Sequence, residues 1–91
     1  MELVHFRLLI TGRVQGVGFR KNAVEQAIQL DLRGFAMNLQ DGSVLIEVEG
    51  ERSAVERFVL WCRRGPALAR VDNLRIETGP LVGHSGFATR R

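Results

Sequence analysis

The sequence predicts an α+β sandwich, an antiparallel sheet in the order 4-1-3-2 with two helices on one face. Three observations carry that prediction. Apolar residues alternate over residues 3–11 and 43–49, the period of half-buried strands. They recur every three or four residues over 21–31 and 53–62, the period of amphipathic helices. The elements then run strand, helix, strand, strand, helix, strand. That order is two split strand-helix-strand units, each too small to bury its own helix.

In the first strand Val4, Phe6, Leu8 and Ile10 share one face, while His5 and Arg7 interrupt the other. Residues 12–20 follow as a glycine loop. Residues 21–31 place Ala23, Val24, Ala27 and Ile28 on a helical stripe, with Leu30 beside it, and Asp31 and Gly34 flank the exit. A short strand over 35–38 reaches Asn38. Leu39-Gln40-Asp41-Gly42 makes a hairpin turn. Val44, Ile46 and Val48 then point inward, and Glu47 and Glu49 outward. Gly50 ends that strand. Ser53-Ala54-Val55-Glu56 has the capping-box pattern. The second helix carries Val55, Phe58, Val59 and Cys62 on one stripe, and Gly65-Pro66 stops it. Residues 71–77 form the fourth strand, and residues 86–90 add a short fifth one. The whole is the ferredoxin-like arrangement, one domain over residues 1–91.

Composition narrows the function. Net charge is +3 and twelve of the thirteen basic residues are arginine, scattered with no run above two. Such a surface favours anions without marking a nucleic-acid footprint. No apolar run reaches membrane-spanning length and no secretory signal opens the chain. The single cysteine excludes an internal disulfide, and a cytoplasmic location is expected. Cys62 sits on a core stripe and reads as packing, not as a nucleophile. His5 and His84 have no partners at metal-ligand spacing, so both read as structural or solvent-exposed, and no metal site or cofactor is expected.

The chemistry concentrates in Gly12-Arg13-Val14-Gln15-Gly16-Val17-Gly18-Phe19-Arg20. Glycines 12, 16 and 18 let successive backbone N–H groups face one point, and Arg20 adds a guanidinium at the helix start. The loop lacks the lysine and hydroxyl of a nucleotide-binding P-loop and suits a single phosphoryl group. Parallel strands 1 and 2 end on the same sheet edge, roughly 10 Å apart across one intervening strand. Topology therefore brings Arg20 toward Asn38. Taken alone, Asn38 reads as a cap of its hairpin turn; the pairing with the loop favours the catalytic reading.

Two segments, Ile10–Arg20 and Gly34–Asn38 followed by Asp41-Gly42-Ser43-Val44, resemble the acylphosphatase family. Gly65-Pro66-Ala67-Leu68-Ala69-Arg70-Val71 is similar to the family's link into the fourth strand. The resemblance implies metal-independent hydrolysis of the carboxyl–phosphate bond of acyl phosphates. It implies Arg20 as the phosphate-binding arginine and Asn38 as the water-positioning asparagine. Gln15, Gly16, Val17, Gly18, Phe19 and Arg20 then bind the phosphoryl group, with Gln15 bracing the loop. Phe35 and Met37 depart from the family's usual tryptophan and basic residue. Asp31 stands where many members have a helix-ending glycine. The domain also begins larger carbamoyl-transferring maturation proteins; a chain of 91 residues fits the free-standing enzyme.

Two other functions compete. An RNA-binding module can share this architecture, but it needs aromatic platforms on the open sheet face, which here carries His5, Arg7, Glu47 and Glu49. A regulatory domain that binds phosphate without hydrolysing it differs only in activity. A small acyl phosphate, with no nucleic acid or membrane partner, is the expected ligand. No second apolar stripe is present, and a monomer is expected.

Overall fold

A computed structural model describes all residues, Met1–Arg91. The elements are β1 (Leu3–Arg13), α1 (Phe19–Gln29), β2 (Arg33–Asn38), β3 (Val44–Glu51), α2 (Arg52–Arg64), β4 (Arg70–Gly79) and β5 (Phe87–Arg90). The sheet order is β4-β1-β3-β2-β5. The four long strands take the expected order. β5 adds outside β2 and runs parallel to it, so the sheet is mixed.

The core lies between the sheet and the two helices. Val4, Phe6, Leu8 and Ile10 of β1 and Val44, Ile46 and Val48 of β3 meet Val55, Phe58, Val59 and Cys62 of α2 there. Pairing of β1 with β3 sets Phe6 opposite Val48 and Leu8 opposite Ile46, which puts both apolar sets on the helix side. A buried side chain of this size contributes about 1.5–3 kcal/mol.

Four local features differ from the sequence-based expectation. First, α1 begins at Phe19, and its buried residues are Phe19, Ala23 and Ala27. That spacing of four rotates the stripe away from Ile28, which is 61% exposed. Second, α2 has no capping box. Its cap position is Glu51, and Ser53 Oγ donates to the Glu51 carboxylate rather than serving the first-turn N–H groups. Third, β3 continues through Gly50 to Glu51. Fourth, Gly12 belongs to β1, not to the loop, and sits at an irregularity against β4. A Cβ there would overlap the Arg70 carbonyl oxygen, so its glycine serves strand approach.

Asp31 meets the expectation of an unfavourable helix end. It has φ 57°, in the left-handed region. Leu32 N–H donates to Ala27 O at 2.9 Å and Asp31 N–H to Ile28 O at 3.1 Å, the paired bonds of a Schellman ending. A non-glycine residue costs about 1–2 kcal/mol in that conformation, partly offset by the greater freedom of an unfolded glycine. Asp31→Gly is therefore expected to stabilise the fold by about 1 kcal/mol. Urea unfolding checks this, and an unchanged or lower midpoint contradicts it.

The sheet face away from the helices is not fully open. The chain between β4 and β5 crosses it, and Glu49 anchors that crossing. The Glu49 carboxylate accepts backbone N–H bonds from Val82, from Gly83 at 2.9 Å and from His84 at 2.9 Å. Glu49 is 4% exposed and His5 8%, so the outward-facing pattern here marks a buried polar layer instead of a solvated one. Phe35 is also covered, with the Arg90 guanidinium 3.9 Å above its ring centroid.

Burial acts to raise the Glu49 pKa, but the three N–H donors more than offset it and hold the carboxyl below its ordinary value. A carboxylate with a lowered folded pKa adds stability that is complete above its unfolded value. That stability is lost as pH falls through the lowered one. Thermal melts should therefore show a steeper acid loss below about pH 4.5 in the wild type than in Glu49→Gln. At pH 7 that variant should be destabilised by about 2 kcal/mol, because an amide cannot accept all three bonds.

Candidate active site

The loop from Val14 to Gly18 joins β1 to α1 at the carboxyl edge of β1. Two glycines shape it: Gly16 has φ 74° and Gly18 φ 78°. Gly18 is also the cap residue of α1, and its carbonyl accepts the Asn22 side-chain amide at 2.8 Å. No backbone bond outside the helices and strands starts from an N–H of residues 15–18. The N–H groups of Phe19, Arg20 and Lys21 open the helix and have no intrahelical acceptor. A run of free donors thus ends at the positive end of a helix dipole, which is an anion site by construction.

Gln15 holds this loop from behind. Its Nε2 donates to Leu39 O at 2.8 Å and Ser43 O at 2.9 Å, tying the loop to the β2–β3 turn. Asp41 closes the same turn by accepting from Ser43 N–H at 2.9 Å and from Ser43 Oγ. The Asp41 carboxyl is held below its ordinary value, chiefly by the Ser43 hydroxyl and then by its N–H. Asn38 takes part in none of these bonds, so the turn is capped without it.

Asn38 ends β2 on the same side as Gly34 and Ala36, facing the helix layer. Gly34 permits this packing, because a Cβ there would overlap the Glu47 carbonyl oxygen of β3. Gly16, Gly18, Phe19, Arg20, Lys21, Asn38 and Thr89 line one cavity of about 210 Å³. Phe19 is 2% exposed and packs edge-on to Trp61, with ring centroids 5.4 Å apart, so it is its backbone that reaches the cavity. Arg20 donates through one guanidinium nitrogen to Arg90 O of β5 at 3.1 Å. The remaining donors of the guanidinium fork stay available to the cavity.

The structure therefore brings Gly16, Gly18, Phe19, Arg20 and Asn38 together, as the sequence leads one to expect. Gln15 and Val17 do not line the cavity. Gln15 braces the loop, and Val17 is partly buried against the core. Two lining residues escape sequence reasoning. Lys21 looks like an ordinary helix-surface cation, and Thr89 depends on where β5 docks. The one signal for Thr89 is the parallel pairing that sets it opposite Ala36 in β2.

Cys62 is not a second candidate. It is fully buried, and burial pushes its thiol far above the ordinary value, so no thiolate forms near neutral pH. His5 and His84, far apart in sequence, are not isolated: both contact Glu47 on the other face of the sheet.

Comparison with known proteins agrees with this architecture. The family model for acylphosphatase matches residues 6–89. A protein of Aeropyrum pernix named acylphosphatase is 50% identical, the match covering 98% of this chain and 90% of that one. One from Anaeromyxobacter sp. is 46% identical over 98% of this chain and 97% of its own. The crystal structure of acylphosphatase from Bacillus subtilis superposes with a TM-score of 0.94 at 32% identity, covering 97% of this chain and 99% of that one. No helix is long and apolar enough to cross a membrane. With the family model matching nearly end to end and relatives near 50% identical over almost the whole chain, this chain belongs to the acylphosphatase family.

Proposed function

We propose that this chain hydrolyses acyl phosphates to a carboxylate and inorganic phosphate, with Arg20 and the loop N–H groups holding the phosphoryl group and Asn38 orienting the water. Hydrolysis of acyl phosphates is the activity of the family. The observation that carries the assignment is that Arg20 and Asn38, from different elements, line one small cavity floored by free N–H donors.

The chemistry asks little of acid or base. A carboxylate is already a good leaving group, so the site must neutralise phosphoryl charge and place a water in line. The guanidinium grips two phosphoryl oxygens, while the N–H groups of Gly16, Gly18, Phe19 and Arg20 cradle the rest. The Asn38 amide oxygen accepts from the water and aims its oxygen at phosphorus. The new P–O bond forms as the bond to the acyl oxygen breaks, and the carboxylate departs. The water's proton passes to a phosphoryl oxygen of the substrate, since Asn38 is no base. Thr89 stands where its hydroxyl can meet the phosphoryl or acyl oxygens.

The chain acts as a single unit over residues 1–91, in the cytoplasm and as a monomer. Nucleic acid is not its ligand; the β4–β5 connection crosses the sheet face an RNA would use, and Arg90 covers the Phe35 ring there, which supports that reading. The test is hydrolysis of benzoyl phosphate by the purified protein in excess chelator. Release of benzoate and phosphate in equal amounts is expected. Absence of turnover, with inorganic phosphate still bound, would leave a phosphate-binding domain instead.

A further inference from the structure

The sheet face opposite the cavity holds a cluster that this chemistry does not use. His5 of β1, Glu47 of β3 and His84 of the β4–β5 connection converge there. His5 Nε2 lies 3.1 Å, and His84 Nε2 3.3 Å, from the same Glu47 Oε1. All three potential ligand atoms fall within 4.8 Å of one another. Ligands at zinc distances in a tetrahedron stand about 3.3 Å apart. Two of the three edges already have that length.

We propose that His5, Glu47 and His84 form a binding site for a divalent transition-metal ion, zinc by its donor chemistry, which staples the β4–β5 connection to the sheet. Two imidazoles and one carboxylate leave a fourth position for water, the open tetrahedral set that zinc accepts. The set is too rich in nitrogen for magnesium or calcium, which take oxygen ligands.

The ligands are positioned before any metal arrives. His5 and Glu47 stand on adjacent strands of the sheet, where register fixes both backbones. His84 comes from a loop, but its N–H is held by Glu49, as are those of the two residues before it. Its ring stacks on His5, with centroids 5.6 Å apart and planes at 22°, and meets the Phe35 ring edge-on at 5.8 Å. Ordering three ligands is the usual cost of a metal site, and here packing already meets most of it. The side chains of His5 and His84 are only 8% and 11% exposed, and Glu47's 21%. A cavity of about 420 Å³ beside His5 and Glu47 gives an entry path and room for the water. Arg7 and Glu77 face the same cavity with opposite charges, so neither sign dominates the approach.

The protein has two histidines, and both are in this cluster. Zinc bound through imidazole therefore reports on this site. The test uses full-length protein freed of metal by chelator and dialysed at pH 7.5, titrated with zinc by calorimetry and melted with and without it. One zinc per chain is expected. With free zinc a hundredfold above Kd, Tm should rise by roughly 10–20 °C, and magnesium should leave it unchanged. His84→Ala and Glu47→Gln should each lose most of the zinc affinity and of the Tm rise. Glu47→Gln keeps an oxygen for hydrogen bonding and guards against simple misfolding. Benzoyl phosphate turnover, read on the other face, should be unaffected by zinc and by either variant. Failure of the wild type to bind one zinc saturably, or binding that survives both substitutions, overturns the site.

Discussion

Arg20→Ala should lower kcat/KM for benzoyl phosphate by about 10³-fold or more, on the order of what removal of a phosphoryl-clamping arginine costs elsewhere. Arg20 brings the only guanidinium among the residues lining the cavity. Its charge and its forked donors oppose the negative charge spread over the phosphoryl oxygens. Because it grips the phosphoryl group in the ground state and more strongly in the transition state, KM should rise as kcat falls, and competitive inhibition by inorganic phosphate should weaken as KM rises. Arg20→Lys should recover only a minor part, since an ammonium restores the charge without the two-point grip. Stability should hardly move. Within the protein the substitution removes one hydrogen bond, from the guanidinium to Arg90 O, worth about 1 kcal/mol. Steady-state kinetics with phosphate inhibition decide it: an Arg20→Ala enzyme with near wild-type kcat/KM would place the phosphate elsewhere.

Asn38→Ala should lower kcat by about 10²- to 10³-fold, with KM nearly unchanged. The asymmetry with Arg20 follows from the task. A residue that orients the water makes its contribution as the water attacks, not when substrate binds. The turn beside it is held by Gln15 and by the Asp41–Ser43 pair, so the substitution should leave the hairpin and the melting temperature intact. If instead Tm falls while kcat per folded molecule is retained, Asn38 is a turn residue. Asn38→Asp should not restore the rate, because a carboxylate next to the phosphoryl oxygens repels the substrate it is meant to serve. A pH profile free of any new ionisation near neutrality in the wild type would accord with a neutral amide in this role.

Much of this was legible in the residues. The alternation of Val44, Ile46 and Val48 against Glu47 and Glu49 decides which face of β3 meets the helices, because a shift of one residue would invert it. The glycines of the loop announce free N–H groups, and the order of elements puts Arg20 and Asn38 at one edge. Where sequence reading failed, the missing information lay in element boundaries and in contacts between elements. Ile28 matches a helical stripe, but only the start of α1 at Phe19 orients that stripe and leaves Ile28 in solvent. Ser53 matches a capping box, but β3 runs straight into α2 and leaves it at the second helical position, where it bonds to Glu51 instead. Gly12 looks like its neighbours in the loop, and only the close approach of β4 reveals why a side chain is not tolerated there.

The sequence alone determined the sandwich, the site-forming loop and the pairing of Arg20 with Asn38. Those features follow from local periodicity, turn chemistry and a chain order that permits few topologies. Only the tertiary structure decided what β5 and its preceding loop do. Residues 80–91 carry too little periodicity to predict a docking position. Their placement rests on contacts with partners dozens of residues away: Thr89 beside the cavity, Arg90 O on Arg20, and Val82 to His84 on Glu49. The same crossing drew two distant histidines onto one carboxylate. Spacing along the chain holds no trace of a site assembled by strand register and a loop closing over the sheet.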